Sequence, residues 1–196
     1  MKRAVFASYL KSAAAILAGL CLGLAATAVN LRSGYGFEPL IAGPWVAWPK
    51  LGRATIDPYA RAALARSGQA PLGREEGLAY VARFDSAGGE LDGRCEYRVS
   101  GTPPAARFWT LALLDRSGAT IVNAAGRHAW TSAEILRSDE GGAVFTIARD
   151  VRPGNWLPAG DGRPFLLELR LYDPPADIER RPDPGAFPSI EKLKCA

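Results

Sequence analysis

Apolar and polar positions follow three different patterns along this chain. From Ser12 to Leu31 the residues SAAAILAGLCLGLAATAVNL are uncharged and mostly apolar. About twenty helical residues span roughly 30 Å, the thickness of a bilayer's hydrocarbon core. A continuous helix also satisfies its own backbone groups there. The pattern therefore predicts a transmembrane helix over residues 12–31. Residues 32–56 have no regular period. They carry Gly34, Gly36, Pro39, Gly43, Pro44, Pro49 and Gly52 around Trp45 and Trp48, which reads as an extended connector. Its tryptophans suit either a membrane interface or packing on a following domain.

From Asp57 the chain becomes legible as elements. Asp57 is suited to cap a helix, Pro58 to open it and Gly68 to stop it, with the helix formers Tyr59–Arg66 between. Strand patterns follow. Leu78–Phe84 runs into the turn cluster Asp85–Gly89, and Cys95–Val99 alternates with Cys95, Tyr97 and Val99 on one face. Phe108–Leu114 is a strong apolar run closed by Asp115-Arg116-Ser117-Gly118. Thr120–Val122, Ala143–Ala148 and Phe165–Tyr172 complete the strands, and Ala133–Arg137 suits a short strand or a helical turn. Short strands at regular spacing with Gly-rich turns predict a mainly β chain folded as an antiparallel sandwich. The expected organisation is a membrane segment at 1–31, a connector at 32–56, a β-sandwich domain at 57–175 and a Pro-rich tail at 176–196 without regular structure.

Charge adds a location. Lys2, Arg3 and Lys11 precede or open the apolar run, and no acidic residue accompanies them. The positive-inside rule then keeps the N-terminus in the cytoplasm and exports the rest. The expectation is a single-pass bacterial inner-membrane protein with a periplasmic C-terminal domain. The alternative is cleavage after Ala26-Thr27-Ala28 and release to the periplasm. Without those three cations, 21 of the 24 Lys and Arg face 20 Asp and Glu, so the exported part is nearly neutral. That balance excludes a nucleic-acid footprint. Export also bears on the cysteines. Cys21 lies in the apolar run, while Cys95 and Cys195 can pair in an oxidising compartment and pin the C-terminal tail to the β-core. The other reading is two unrelated free thiols.

Strong catalytic motifs are missing. The chain has no phosphate-cradling Gly-rich loop with Lys, no dinucleotide fingerprint and no serine nucleophile elbow. With one His and no Cys pair at metal spacing, no metal site and no cofactor are expected. His128, within Gly126-Arg127-His128-Ala129-Trp130, suits a structural hydrogen bond better than catalysis. Arg170 stands out because it interrupts the apolar strand Phe165–Tyr172. Alternation puts Glu168, Arg170 and Tyr172 on one face. Over solvent this is an ordinary surface pair; in a pocket Arg170 is a fixed fork for a carboxylate, phosphate or sugar.

Several segments in order are similar to one known family: Asp57–Ala62, Phe108–Leu111 with Leu114-Asp115, Asn123 with Arg127, Asn155-Trp156-Leu157-Pro158, and Leu169–Pro174. Over about residues 50–175 the chain resembles the bacterial domain-of-unknown-function family 1214, in a short single-domain form with an N-terminal membrane segment. The resemblance implies a jelly-roll-like β-sandwich and brings no established reaction. It marks Arg127, Asn155, Trp156, Arg170 and Tyr172 as candidate binding residues that are equally suited to structural roles. His128 stands where such proteins often have an aromatic residue.

Three functions compete on these observations. The favoured one is a membrane-anchored binding module of the cell envelope for a glycan, a lipid or a protein partner. The second is an enzyme on envelope saccharides or small molecules, using carboxylates such as Glu168 and Asp173 with Arg170 and Tyr172. Glycoside hydrolysis would need two carboxylates about 5–10 Å apart across a cleft. The third is a structural scaffold.

Overall fold

The computed structural model describes residues 2–33, 39–53, 55–67, 71–73, 76–137, 141–175 and 183–195. Its first element, α1 (Lys2–Ser33), is a single helix. The stretch Tyr9–Val29 has a mean hydropathy of 2.0 and is long and apolar enough to cross a membrane. Almost every described side chain along it is exposed.

A second helix, α2 (Pro58–Ser67), begins as its sequence requires. The Asp57 carboxylate accepts the N–H groups of Tyr59 and Ala60 at 3.0 Å each, which satisfies two donors the first turn would leave unpaired. The expected stop at Gly68 lies outside the described residues.

The remaining elements are strands: β1 (Leu40–Ala42), β2 (Trp45–Ala47), β3 (Gly77–Ala82), β4 (Cys95–Gly101), β5 (Phe108–Asp115), β6 (Ala129–Thr131), β7 (Ala143–Ala148), β8 (Asn155–Pro158), β9 (Phe165–Tyr172) and β10 (Ser189–Cys195). A 3₁₀ turn at Pro184–Ala186 precedes β10. The strands form a six-stranded sheet in the order β1-β2-β3-β9-β5-β6 and a four-stranded sheet in the order β10-β4-β7-β8. The chain is thus mainly β, as predicted. One pair departs from the antiparallel expectation, since β7 and β8 run parallel, with Phe145 opposite Asn155 and Ala148 opposite Pro158.

The two sheets share one core. In β9, Leu167, Leu169 and Leu171 are almost fully buried, while Glu168, Arg170 and Tyr172 are partly exposed on the other face. Burying each of those leucines contributes about 1.5–3 kcal/mol. Aromatic edges close the interface: Tyr97 of β4 meets Phe165 of β9 at 5.7 Å, and Trp109 of β5 meets Phe145 of β7 at 6.1 Å.

Several segments differ from their prediction. Residues 40–42 and 45–47 of the expected connector are strands, and Trp45 is fully buried, its indole N–H donating to the Pro188 carbonyl at 2.7 Å. The expected irregular tail contributes β10, which pairs along β4, and Phe187 packs against Tyr80 with ring centroids 4.6 Å apart and the rings tilted by 59°. Thr120–Val122 makes only a single bridge, between Leu114 and Thr120, and Ala133–Arg137 is a turn ending in a bridge from Arg137 to Ala143. Each difference has the same origin: a long-range partner, not local periodicity, supplies or withholds the ladder.

Candidate functional site

The outer face of the six-stranded sheet carries a built cavity. On β9, Glu168 and Arg170 are two residues apart and therefore side by side on that face. Arg170 Nε donates to Glu168 Oε2 at 2.8 Å, and Nη2 to Oε1 at 3.3 Å. Their cross-strand neighbours are small. Ala79 and Thr110 flank Arg170, and Val81 and Ala112 flank Glu168. Small residues on both sides leave space above the ion pair, and the chain encloses it. Trp48, Leu51, Leu64 of α2 and Leu72 join Val81 around a cavity of about 390 Å³. That volume lies within the range of small-molecule sites.

The electrostatics of the cavity are paired. Burial opposes the charge on Arg170, but the hydrogen bonds to Glu168, with a smaller effect of Tyr172, outweigh it and hold the guanidinium above its ordinary pKa. The pair presents guanidinium N–H donors beside carboxylate oxygen acceptors. Among the described residues Glu168 is the single carboxylate lining this cavity. Glycoside hydrolysis would need two carboxylates across the cleft, and the described lining of this cavity supplies one. Asp173 is exposed and pairs with Arg107 at 3.8 Å.

The other candidate residues gather elsewhere. The guanidinium of Arg127 lies 4.0 Å over the Trp130 ring, a cation–π contact on an exposed loop. Asn123 shapes that loop by accepting the Arg127 N–H at 3.1 Å and donating to its carbonyl at 2.9 Å. His128 Nδ1 lies 3.0 Å from the Ile121 carbonyl. Trp130 donates its indole N–H to the Trp156 carbonyl at 3.1 Å, and Trp156 donates its own to the Ala148 carbonyl at 3.0 Å. Asn155 is buried and spends its whole amide on the backbones of Leu136 and Val144. Tyr172 lies at the end of β9, its ring 5.8 Å from Phe108. Of the six residues singled out from sequence, only Arg170 lines the cavity.

Cys95 and Cys195 stand directly opposite each other on β4 and β10 and form a disulfide. Among the described residues, no three His, Cys, Asp or Glu side chains gather as a metal site requires. The cavity walls Trp48, Leu51, Leu64 and Leu72 were not legible as a site, because no local pattern relates a connector, a helix and a sheet face. The one usable signal was Trp48, a large aromatic residue within a Gly- and Pro-rich stretch.

Comparison with known proteins fits this architecture. The VPA0106 protein from Vibrio parahaemolyticus has a similar fold, with a TM-score of 0.57 at 21% identity over 71% of this chain and 36% of that one. A putative uncharacterized protein from Burkholderia cenocepacia matches at 18% identity over 65% of this chain and 32% of that one, with a TM-score of 0.43. The chain thus spans about a third of the length of either solved structure. No curated protein matches it. A family model described as "Protein of unknown function (DUF1214)" matches residues 76–176, which run from the start of β3 through the end of β9. The chain is therefore a member of the DUF1214 family of proteins of unknown function.

Proposed function

We propose that this protein is an envelope binding module whose cavity on the outer face of the six-stranded sheet takes an amphipathic ligand with an uncharged polar head. The observation that carries this reading is the cavity itself, with apolar walls of Trp48, Leu51, Leu64 and Leu72 over a charge-balanced Arg170–Glu168 floor. A head that both donates and accepts, such as a hydroxyl or an amide, matches the pair without unbalancing it. A carboxylate head would face Glu168, and an ammonium head would face Arg170. The source of such a ligand is the membrane. The wall helix α2 touches α1, so the cavity's rim lies close to the apolar helix. In this reading α1 spans the bacterial inner membrane, and Lys2, Arg3 and Lys11 keep its N-terminus cytoplasmic and the sandwich periplasmic.

The test uses the full chain, purified in maltoside detergent and titrated with monoolein, oleate and oleylamine under native mass spectrometry. Saturable binding of monoolein, weaker binding of the charged pair, and loss of both in Ala79→Trp support the reading. Ala79 is half-buried beside Arg170, so a tryptophan there fills the cavity. Absence of saturable binding to any of the three, or binding unaltered by Ala79→Trp, overturns it. Retention of a glycan or a protein instead would move the site elsewhere on the surface.

A further inference from the structure

The antiparallel topology brings three strand ends to one edge of the four-stranded sheet. β4 begins at Cys95, while its neighbours β7 and β10 end at Ala148 and Cys195. These ends enclose a second cleft, of about 450 Å³, floored by the Cys95–Cys195 disulfide. Its charged lining is Arg94, Arg149, Arg152 and Lys194 with Glu96 and Asp150.

The cations differ in what they have left to give. Arg152 is spent on the protein: Nε and Nη2 each donate to Glu96 at 2.9 Å, and Nη1 donates to the Val151 carbonyl at 3.2 Å. That side-on pair holds the Glu96 carboxyl below its ordinary range and makes it a fixed part of the wall. Arg94 turns its Nε and Nη2 onto Asp92. Lys194 reaches Glu96 only at 3.5 Å and is largely exposed. Arg149 is exposed and makes no ion pair among the described residues. Arg149 and Lys194 are thus the two cations of the lining least engaged by the protein, without a hydrogen-bonded ion pair of the kind that Arg94 and Arg152 make. The disulfide clamps β10 at its last residue, so Lys194 is held opposite Glu96 and does not fray with the terminus.

We propose that this cleft binds a phosphoryl dianion, clamped between Arg149 and Lys194 above the rigid Arg152–Glu96 pair. A guanidinium fork and an ammonium point charge on separate strand ends suit a tetrahedral group with several acceptor oxygens. A single negative charge gains less there, because Glu96 and Asp150 already stand in the lining. The phosphoryl group comes from one of two sources, a soluble phosphate or the phosphomonoester headgroup of a lipid such as phosphatidic acid.

Calorimetric titration of the full chain in maltoside detergent with inorganic phosphate, and separately with water-soluble dihexanoyl phosphatidic acid, tests this. Saturable binding of both probes supports a site that needs the phosphoryl group alone, and binding of the lipid alone supports a headgroup site. In either case Arg149→Gln with Lys194→Gln weakens binding about tenfold or more, since each removes a charge-assisted contact. Both positions are exposed, and an unchanged melting temperature confirms that the double variant folds. The control is Arg116→Gln, whose exposed side chain pairs with Glu90 away from the cleft and whose removal leaves affinity unchanged. Failure of both probes to saturate overturns the proposal, as does an equal loss of affinity in Arg116→Gln.

Discussion

Asn155 takes the place of a neighbouring strand for Leu136. Its side-chain oxygen accepts the Leu136 N–H at 2.8 Å, and its amide nitrogen donates to the Leu136 carbonyl at 2.8 Å. The second amide hydrogen donates to the Val144 carbonyl at 3.0 Å, so one buried side chain ties the turn after β6 to β7 and β8. The role is structural and leaves the amide nothing for a ligand.

Asn155→Ala should therefore destabilise the fold by about 2–4 kcal/mol, because three part-buried hydrogen bonds to backbone groups are lost together. Asn155→Asp should cost as much or more, since a carboxylate cannot donate to the two carbonyls. Urea denaturation of the full chain in detergent measures both. A loss within a few tenths of a kcal/mol would contradict this account.

The Cys95–Cys195 bond closes a loop with a sequence separation of 100. In the chain-entropy model a loop of that length is worth about 4–5 kcal/mol. Cys195→Ser should lower the melting temperature and make it insensitive to reductant, whereas the wild type should melt lower once reduced. Alkylation of unreduced, exported protein checks the bond directly: Cys95 and Cys195 should not label until a reductant is added.

Acid should unfold the protein through its paired carboxylates. Asp92 is held at about 2 by hydrogen bonds from Arg94, Glu96 is lowered by Arg152, Asp115 by the Ser117 hydroxyl, and Asp161 by Arg163. A carboxyl depressed in the folded state contributes stability that is complete above its unfolded pKa, near 4, and is lost as pH falls through the folded value. The melting temperature should hold steady down to about pH 5 and then fall towards pH 2. Arg152→Gln removes the main cause of the Glu96 shift and should make the acid slope shallower. An unchanged slope in that variant would count against the pair's role.

Gly77 and Gly88 should respond differently to a methyl group. A Cβ on Gly77 would collide with the Leu171 carbonyl oxygen, where β3 pairs with β9. A Cβ on Gly88 meets nothing within 4 Å, although its φ of +87° disfavours other residues. Gly77→Ala should cost more than about 2 kcal/mol, as the ladder must shift to admit it. Gly88→Ala should cost about 1 kcal/mol from backbone strain alone. Equal losses in denaturant titration would argue against the β3–β9 register.

The sequence by itself determined what depends on neighbours along the chain. The apolar run of α1, the Asp57 cap of α2, and the alternation that sets Leu167, Leu169 and Leu171 against Glu168, Arg170 and Tyr172 are all local patterns. Local too were β5, β7 and β9, whose predicted limits match to within a residue. Tertiary structure decided the rest. β10 reads as a polar tail, because Ile190 is its only buried residue, and it becomes a strand through its pairing with β4. β2 is hidden among glycines and prolines and is held by β3 and by the Trp45–Pro188 bond across the molecule. The candidate residues divided on the same principle. Arg170 faces a cavity because Ala79, Thr110, Ala112 and Val81 happen to be its pair's neighbours on other strands, while Asn155 met three backbone partners and was consumed by them. Periodicity fixes which way a side chain points along its own strand; what it meets there depends on strand pairing over long sequence separations, which local pattern does not encode.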